Sequence, residues 1–439
     1  MIFGAQSHAP VNKHVLKSME TYASMMDAQI LVLPLPGYNI LEDGKIDKRL
    51  AKFEHITKRH KLNDNLVIRN FDVRPQRIEP TTGLDNIIQK DESTIFASTK
   101  QRLKIIPNSN NALPKALITT GVVTNARYKD GFVTSRKAHA HHVYGGVFVD
   151  IQDDKIFHFR QFRVSKRGRF NDLHTHIDGK EVNNSNVKYF VWGDYHHGQT
   201  DPQVEHTTHK LIDKLQPKNQ IFHDYFDGYS INRFKEQSII DKSKDAIKNR
   251  NSLEEELESG YKNLKGLANR YADQTLYLVA ANHHDKLYKY LDSGNFLKNP
   301  ENIYVGAKLL QKVIEGNEPG KDPVKSGYEL FGEIPENVKF LSRRDDLKYR
   351  GIQLASHGDK GPNGAWSFSV KARERAFGKS MSMHSHSPQI LRDTYIGGTS
   401  TFLNMGYTQG PSSWMNTHGV VFDTGKMQLI NIIEGRFES

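Results

Sequence analysis

The residues best suited to chemistry are aspartates, histidines and one asparagine in five short groups. They are Asp194-Tyr195-His196, Asp224 with Asp227, Asn282-His283, His357-Gly358 and His384-Ser385-His386. Carboxylate oxygens and imidazole nitrogens are ligands for Mg, Mn, Fe and Zn. Two such cations ~3.5–4 Å apart can polarise a phosphoryl group, activate water and stabilise the leaving oxygen. The chain has no Cys, so a thiolate site, a thiol nucleophile and a disulfide are all excluded. Each group alone is weak: D-x-H and H-x-H arise often by chance, and His-Gly-Asp reads equally well as a turn. Their weight comes from their order and from what precedes each one.

What precedes most of them is an apolar run. Val187 and Tyr189-Phe190-Val191-Trp192 predict a strand that stops at Gly193. Alternation along an extended chain would deliver Asp194 and His196 to one side. Gln220-Ile221-Phe222 leads into His223-Asp224, residues 275–281 into Asn282, and residues 349–356 into His357. Open α/β sheets gather their chemistry at such strand ends. Between them the spacing predicts helices. One covers 203–216, with Val204, Leu211, Ile212 and Leu215 on its apolar face. Another opens at a capping box, Ser252 to Glu255, and carries Leu253, Leu257, Tyr261 and Leu264. Helical stretches continue to about 316, a polar turn fills 316–322, and residues 380–433 are β-rich. They end in a hairpin whose His418 is not needed as a ligand.

In this order the groups resemble the calcineurin-like metallophosphoesterase superfamily, whose signature runs D-x-H, G-D-x-x-D, G-N-H-(D/E), H and G-H-x-H. The match spans about residues 187–434. The resemblance implies an α/β (α+β) fold, a two-sheet β-sandwich flanked by helices, over 186–439. It implies two divalent metal ions, Mn2+ first, with Mg2+, Zn2+ or Fe as alternatives. Asp194, His196 and His386 would hold one ion, Asn282, His357 and His384 the other, and Asp224 would bridge. His283 and Asp227 would be the catalytic pair: His283 over the substrate, Asp227 fixing an imidazole by accepting its N–H. Asp285 would serve in the same way as Asp227. The chain departs from the pattern where His223, Ala281 and Met383 stand in place of Gly, and where an extra His284 follows His283. Which of those two histidines is catalytic stays open, with His283 favoured because it directly follows Asn282.

Residues 1–185 lie outside the match and read as an additional basic α/β domain. They hold 28 Lys+Arg against 19 Asp+Glu; residues 186–439 hold 33 against 31. A helix and strand are expected over 14–33 and a charged surface helix within 42–60. A loop at 108–114 could mark a subdomain boundary, and β structure is expected over 116–164. Arg136, Lys137, His139 and His141, with Arg160 and Arg163 in an aromatic-rich run, are candidate substrate contacts. Basic residues among aromatics suit a nucleic-acid strand; the plainer alternative is an amphipathic hairpin with Phe inside and Arg outside.

These features point to a metal-dependent DNase. The layout also resembles phage pre-early (first-step-transfer) DNA-degrading proteins, which implies manganese, a homo-oligomer and action in the host bacterial cytoplasm. The alternatives are a phosphomonoesterase or nucleotide phosphodiesterase, and a DNA-binding module with a dead site. No run approaches the ~18 apolar residues of a membrane span, and the N-terminal residues lack a signal-peptide layout.

Overall fold

Four parallel strands carry the first three ligand groups. In the computed structural model the strands Val338–Leu341, Thr275–Val279, Asn219–His223 and Val187–Val191 lie side by side in that order. Asn416–Phe422 adds antiparallel to the last of them, and Met427–Ile432 antiparallel to Asn416–Phe422, which completes a six-stranded sheet. The helices Pro202–Leu215, Leu253–Arg270, Asn282–Asp292 and Ile303–Glu315 lie in the crossovers, the connection parallel strands require. Along Phe190-Val191-Trp192 the side chains alternate. Val191 enters a core shared with the other large sheets; Phe190 and Trp192 pack with Leu211, Leu257 and Leu264 of the helices. The Ser252 hydroxyl accepts from the Glu255 N–H at 3.2 Å, as the capping box requires.

The structure describes residues 1–88, 92–109, 113–232, 240, 243–244, 247–248, 250–316, 322–366, 368–405 and 410–437. Within them are eight α-helices and four sheets, a mixed α+β fold. A ten-stranded sheet supplies the remaining ligand groups. Its strands come from residues 60–119 and 348–396, joined where Arg102–Ile106 pairs antiparallel with Gln389–Leu391. The expected boundary at 185/186 is therefore crossed by a sheet that both sides build together. A five-stranded sheet holds the N-terminal strand Ile2–Gln6, with the helix Lys13–Met25 packed on it through Val15, Met19 and Tyr22. A three-stranded sheet covers 170–184.

Several expectations need correction. Within 42–60 there is no α-helix: the 3-10 turn Ile40–Glu42 ends there, Lys48–Leu50 forms another that the Asp47 side chain caps, and the two-residue strand Glu54–His55 follows. The Arg136–His142 region is the helix Val133–Ala140, not a stretch of continuous β structure. The expected strand over 349–356 is two short ones, Lys348–Tyr349 and Ile352–Gln353, turned back on each other at Gly351. The loop expected at 108–114 as a subdomain boundary falls between Arg102–Ile106 and Lys115–Thr119, which pair antiparallel within one sheet. Residues 110–112 of that loop and 317–321 of the expected polar turn lie outside the described residues. The strand Phe157–Val164 is buried on both faces, not amphipathic. Phe162 meets the N-terminal helix cluster while Phe157 and Phe159 enter the core between sheets. Among the described residues no helix is long and apolar enough to cross a membrane.

Candidate metal centre

The parallel strands stop, and the chain turns at once into the ligand groups. Val187–Val191 ends before Gly193, where a Cβ would meet Thr399 and Thr417 backbone at 2.8 Å, so only Gly allows the chains to pass. Asp194 N–H then bonds Gly398 O and His196 N–H bonds Asp224 O, at 3.0 and 2.8 Å. Asp194 and His196 do share a side, but through this turn and not through strand alternation. His357 follows Ile352–Gln353, and His384 follows Lys379–Ser382, on the ten-stranded sheet. Two sheets thus bring the five groups to one place.

Asp194, His196 and the distant His386 have ligand atoms within 4.8 Å of one another, and so do Asp224, His357 and His384. His386 Nε2 lies 3.1 Å from Asp194 Oδ2 and 3.3 Å from His196 Nε2. His357 Nε2 lies 3.1 Å from both Asp224 Oδ2 and His384 Nδ1, and 2.9 Å from Asn282 Oδ1. Asp224 Oδ2 is also 3.9 Å from His196 Nε2, so Asp224 reaches both groups. All seven expected metal ligands therefore converge.

The donor set fits divalent cations on the evidence of its own polar atoms. Asp194 Oδ1 and Asp224 Oδ1 are buried and find no hydrogen-bond donor among the described residues. Two pairs of imidazole nitrogens face each other at 3.3 and 3.1 Å. Lone pairs crowded in a buried site repel unless a proton or a cation stands between them. Nitrogen and oxygen donors without sulfur suit Mn, Mg, Zn or Fe. Four of the seven residues, His196, Asp224, His384 and His386, have φ between 45° and 80°, the left-handed region. Such backbone costs of order 1–2 kcal/mol per non-Gly residue and collects at functional sites.

Charge is finely set here. Burial would raise the Asp194 pKa, but the His357 and His386 imidazoles outweigh it and hold the carboxyl at about 2. Asp224 is likewise held well below the carboxylate range, against burial, mainly by His357 and His283. His357 would be lowered by burial, yet the Asp224 and Asp194 carboxylates push it up to about 9. His384 falls to about 4, through burial and then the charge of His357.

Asp227 Oδ1 stands 3.0 Å from His196 Nδ1. Asp285, expected to fix an imidazole, pairs instead with Arg343 at 3.1 Å and Lys360 at 3.6 Å. His283 faces the site, its ring 4.6 Å from that of His196, and its Nδ1 donates to the Asp227 carbonyl. Burial lowers its pKa to about 4, so at neutral pH the ring is neutral, with its proton on Nδ1 and its lone pair on Nε2. Lys286 Nζ stands 3.0 Å from that Nε2. His284 points away from the centre's contacts and pairs with Asp322 at 2.5 Å, deeply buried. Ala281 and Met383 are buried core residues, and His223 sits fully buried against the ring of His357 at 5.6 Å.

Of the six expected substrate contacts, Arg136, Lys137 and His139 are exposed on the Val133–Ala140 helix, and His141 is half-buried beside it. Arg160 and Arg163 are corrections. Arg160 is 1% exposed and bonded to Asp172 by three N–H···O contacts of 2.9–3.1 Å. Arg163 is spent on Asp393, the Arg392 carbonyl and Gln101. A strand buried on both faces leaves neither guanidinium free to meet a substrate.

Sequence reasoning missed Arg373 and Lys286. Arg373 is 2% exposed and donates to Gly358 O at 2.8 Å, Phe368 O at 2.7 Å and the Ser382 hydroxyl. It ties the loop after His357 to the strand before His384. Gly358 has φ +107°, and a Cβ there would lie 2.4 Å from this guanidinium. Nothing local in the sequence announces such a tie. Lys286 could have been found, since it lies one helical turn after His283.

His418, set aside as a ligand, positions the site. Its Nδ1 accepts from Gly193 N–H at 3.0 Å. Thr208 gives its own proton to Val204 O, so its oxygen accepts from His418 Nε2–H at 2.9 Å. Both nitrogens are satisfied only in the neutral ring, and burial lowers the pKa to about 3. A histidine depressed from ~6.5 in the unfolded chain binds fewer protons when folded. Its stability contribution is present above pH 6.5 and is lost as pH falls toward 3. Between pH 7 and pH 5 the loss is about 2 kcal/mol for this group. Urea unfolding of the EDTA-treated protein at both pH values checks this: His418→Asn loses less stability than the unaltered chain, and an equal loss would refute the assignment.

No protein-family model matches the chain. It is 25% identical over 463 aligned positions to "Protein A1" of Escherichia phage T5, an alignment that takes in 100% of this chain and 82% of that protein.

Proposed function

We propose that the chain is a dinuclear metal-dependent phosphodiesterase of the calcineurin-like metallophosphoesterase type, and that its substrate is DNA. The observation that carries this is the convergence of Asp194, His196, Asp224, Asn282, His357, His384 and His386 on one buried site with carboxylate oxygens left unpartnered. Asp194, His196 and His386 would hold one ion; Asn282, His357 and His384 the other; Asp224 both. When bound, a pair of such cations supplies a stronger nucleophile from water and stabilises charge on the phosphoryl oxygens. Asp227 holds the His196 ring in one orientation. His283 presents Nε2 at the rim, and Lys286 beside it is the proton-bearing group, so the two act together on the leaving oxygen. The likeness to a protein of a phage accords with a phage-encoded enzyme working in the cytoplasm of an infected bacterium. The excess of basic residues over 1–185 accords with a polyanionic substrate. The homo-oligomer belongs to the same reading and is tested by sedimentation of the purified chain.

The test is incubation of the protein with linear and covalently closed circular DNA, with EDTA or added manganese. Cleavage with manganese and none with EDTA is expected. Turnover of p-nitrophenyl phosphate without DNA cleavage would transfer the site to a phosphomonoesterase. The two neighbouring histidines separate in the same assay. His283→Ala lowers kcat by about 10²–10⁴, the range for loss of a general acid–base group. His284→Ala instead lowers stability, because it leaves Asp322 buried without its partner. The reverse pattern would exchange their roles.

A further inference from the structure

Nine residues after His357 an indole stands in solvent. Trp366 is 62% exposed, unusual for the side chain that loses most by contact with water. It closes a hairpin that begins three residues after His357. Lys360 and Trp366 face each other across a β-bridge, and Gly361 N–H bonds Ala365 O at 2.7 Å, so the ring is held by a formed turn. Two ammonium groups flank it: Lys360 Nζ lies 3.5 Å and Lys289 Nζ 5.0 Å from the ring centroid. The patch is also wired to the site. Lys360 reaches Asp285 at 3.6 Å, and Asp285 shares a helix turn with His283, whose Nε2 is 3.0 Å from Lys286. An aromatic face between cations, a few residues from a phosphodiester-cutting centre, matches how proteins hold an unpaired strand: base on ring, phosphates on lysines.

We infer that Trp366 is a stacking platform for an unpaired nucleobase next to the scissile phosphate, with Lys289 and Lys360 on the neighbouring phosphates. The substrate is then single-stranded DNA or a frayed end, because a base within a duplex cannot offer its face. This deepens the proposed function and rests on it.

The test is fluorescence anisotropy with labelled (dT)12 and with a blunt duplex of equal length, using the full chain in EDTA so that nothing is cut. The unaltered protein binds (dT)12 more tightly than duplex. Trp366→Ala weakens (dT)12 binding about tenfold, within the range for loss of one base–aromatic stack, and removes the preference for the single strand. Trp366→Phe, which keeps an aromatic face, stays within about threefold of the unaltered protein. Unchanged (dT)12 affinity in Trp366→Ala, or an equal loss for the duplex, overturns the inference and would leave the exposed ring as a contact for another protein. The parent reading fails separately: there the unaltered chain with manganese cuts no DNA at all, whatever the anisotropy shows.

Discussion

Asp224→Ala lowers manganese-dependent DNA cleavage by at least about a thousandfold, roughly 4 kcal/mol of transition-state stabilisation, while DNA binding is kept. Asp224 is the carboxylate that approaches both imidazole groups, 3.1 Å from His357 and 3.9 Å from His196. Its other oxygen is buried and has no donor among the described residues, as a carboxylate kept for a cation would be. Removing it empties the position common to both ligand groups. Asp224→Asn, equal in shape, loses as much, because charge and not volume is required. A loss under tenfold in either variant, with folding intact by circular dichroism, would remove Asp224 from the centre. The same pair separates an enzyme from a DNA-binding module with a dead site, in which neither change would matter to any reaction.

Asp172→Ala costs the fold about 3–5 kcal/mol, the range for breaking a buried ion pair from one side. Asp172 is fully buried and accepts from Arg160, the Tyr22 hydroxyl and, at 2.6 Å, Gln428 Nε2. Burial alone would raise its pKa, but the Arg160 guanidinium holds it down. These four residues belong to the N-terminal helix, the five-stranded sheet, the three-stranded sheet and the six-stranded sheet. The pair therefore fastens the basic N-terminal region to the sheet that carries Asp194. Urea unfolding measures the loss. The double variant Arg160→Met, Asp172→Leu recovers much of it, because apolar side chains of similar size need no counter-charge. If Arg160 met DNA instead, Arg160→Met would flatten the salt dependence of DNA binding and leave stability unchanged.

The site was far more legible in the sequence than the fold around it, and the reason is physical. Asp194, Asp224 and Asn282 each follow a buried strand, and buried strands announce themselves by local apolar runs such as Tyr189–Trp192. The crossover helices were visible for the same reason, from Val204, Leu211 and Leu215 at helical spacing. What stayed hidden depends on contacts between distant residues. The pairing of Arg102–Ile106 with Gln389–Leu391 unites the two halves of the chain in one sheet, and no local pattern encodes it. Arg160 looked like a surface cation because its counter-charge stands on another strand and its burial comes from a helix more than 130 residues earlier. Trp366 gave no periodic signal, since a turn and a single β-bridge place it.

The central claim is that these Asp, His and Asn side chains form a site for two cations. It is tested most directly by manganese titration of the EDTA-stripped chain, followed by equilibrium dialysis and electron paramagnetic resonance. Two Mn2+ per chain with a spin-coupled spectrum are expected, and in Asp224→Ala the coupled signal disappears. Binding of no manganese, or of isolated ions whose spectrum is indifferent to Asp224, His357 and His386, would contradict the account.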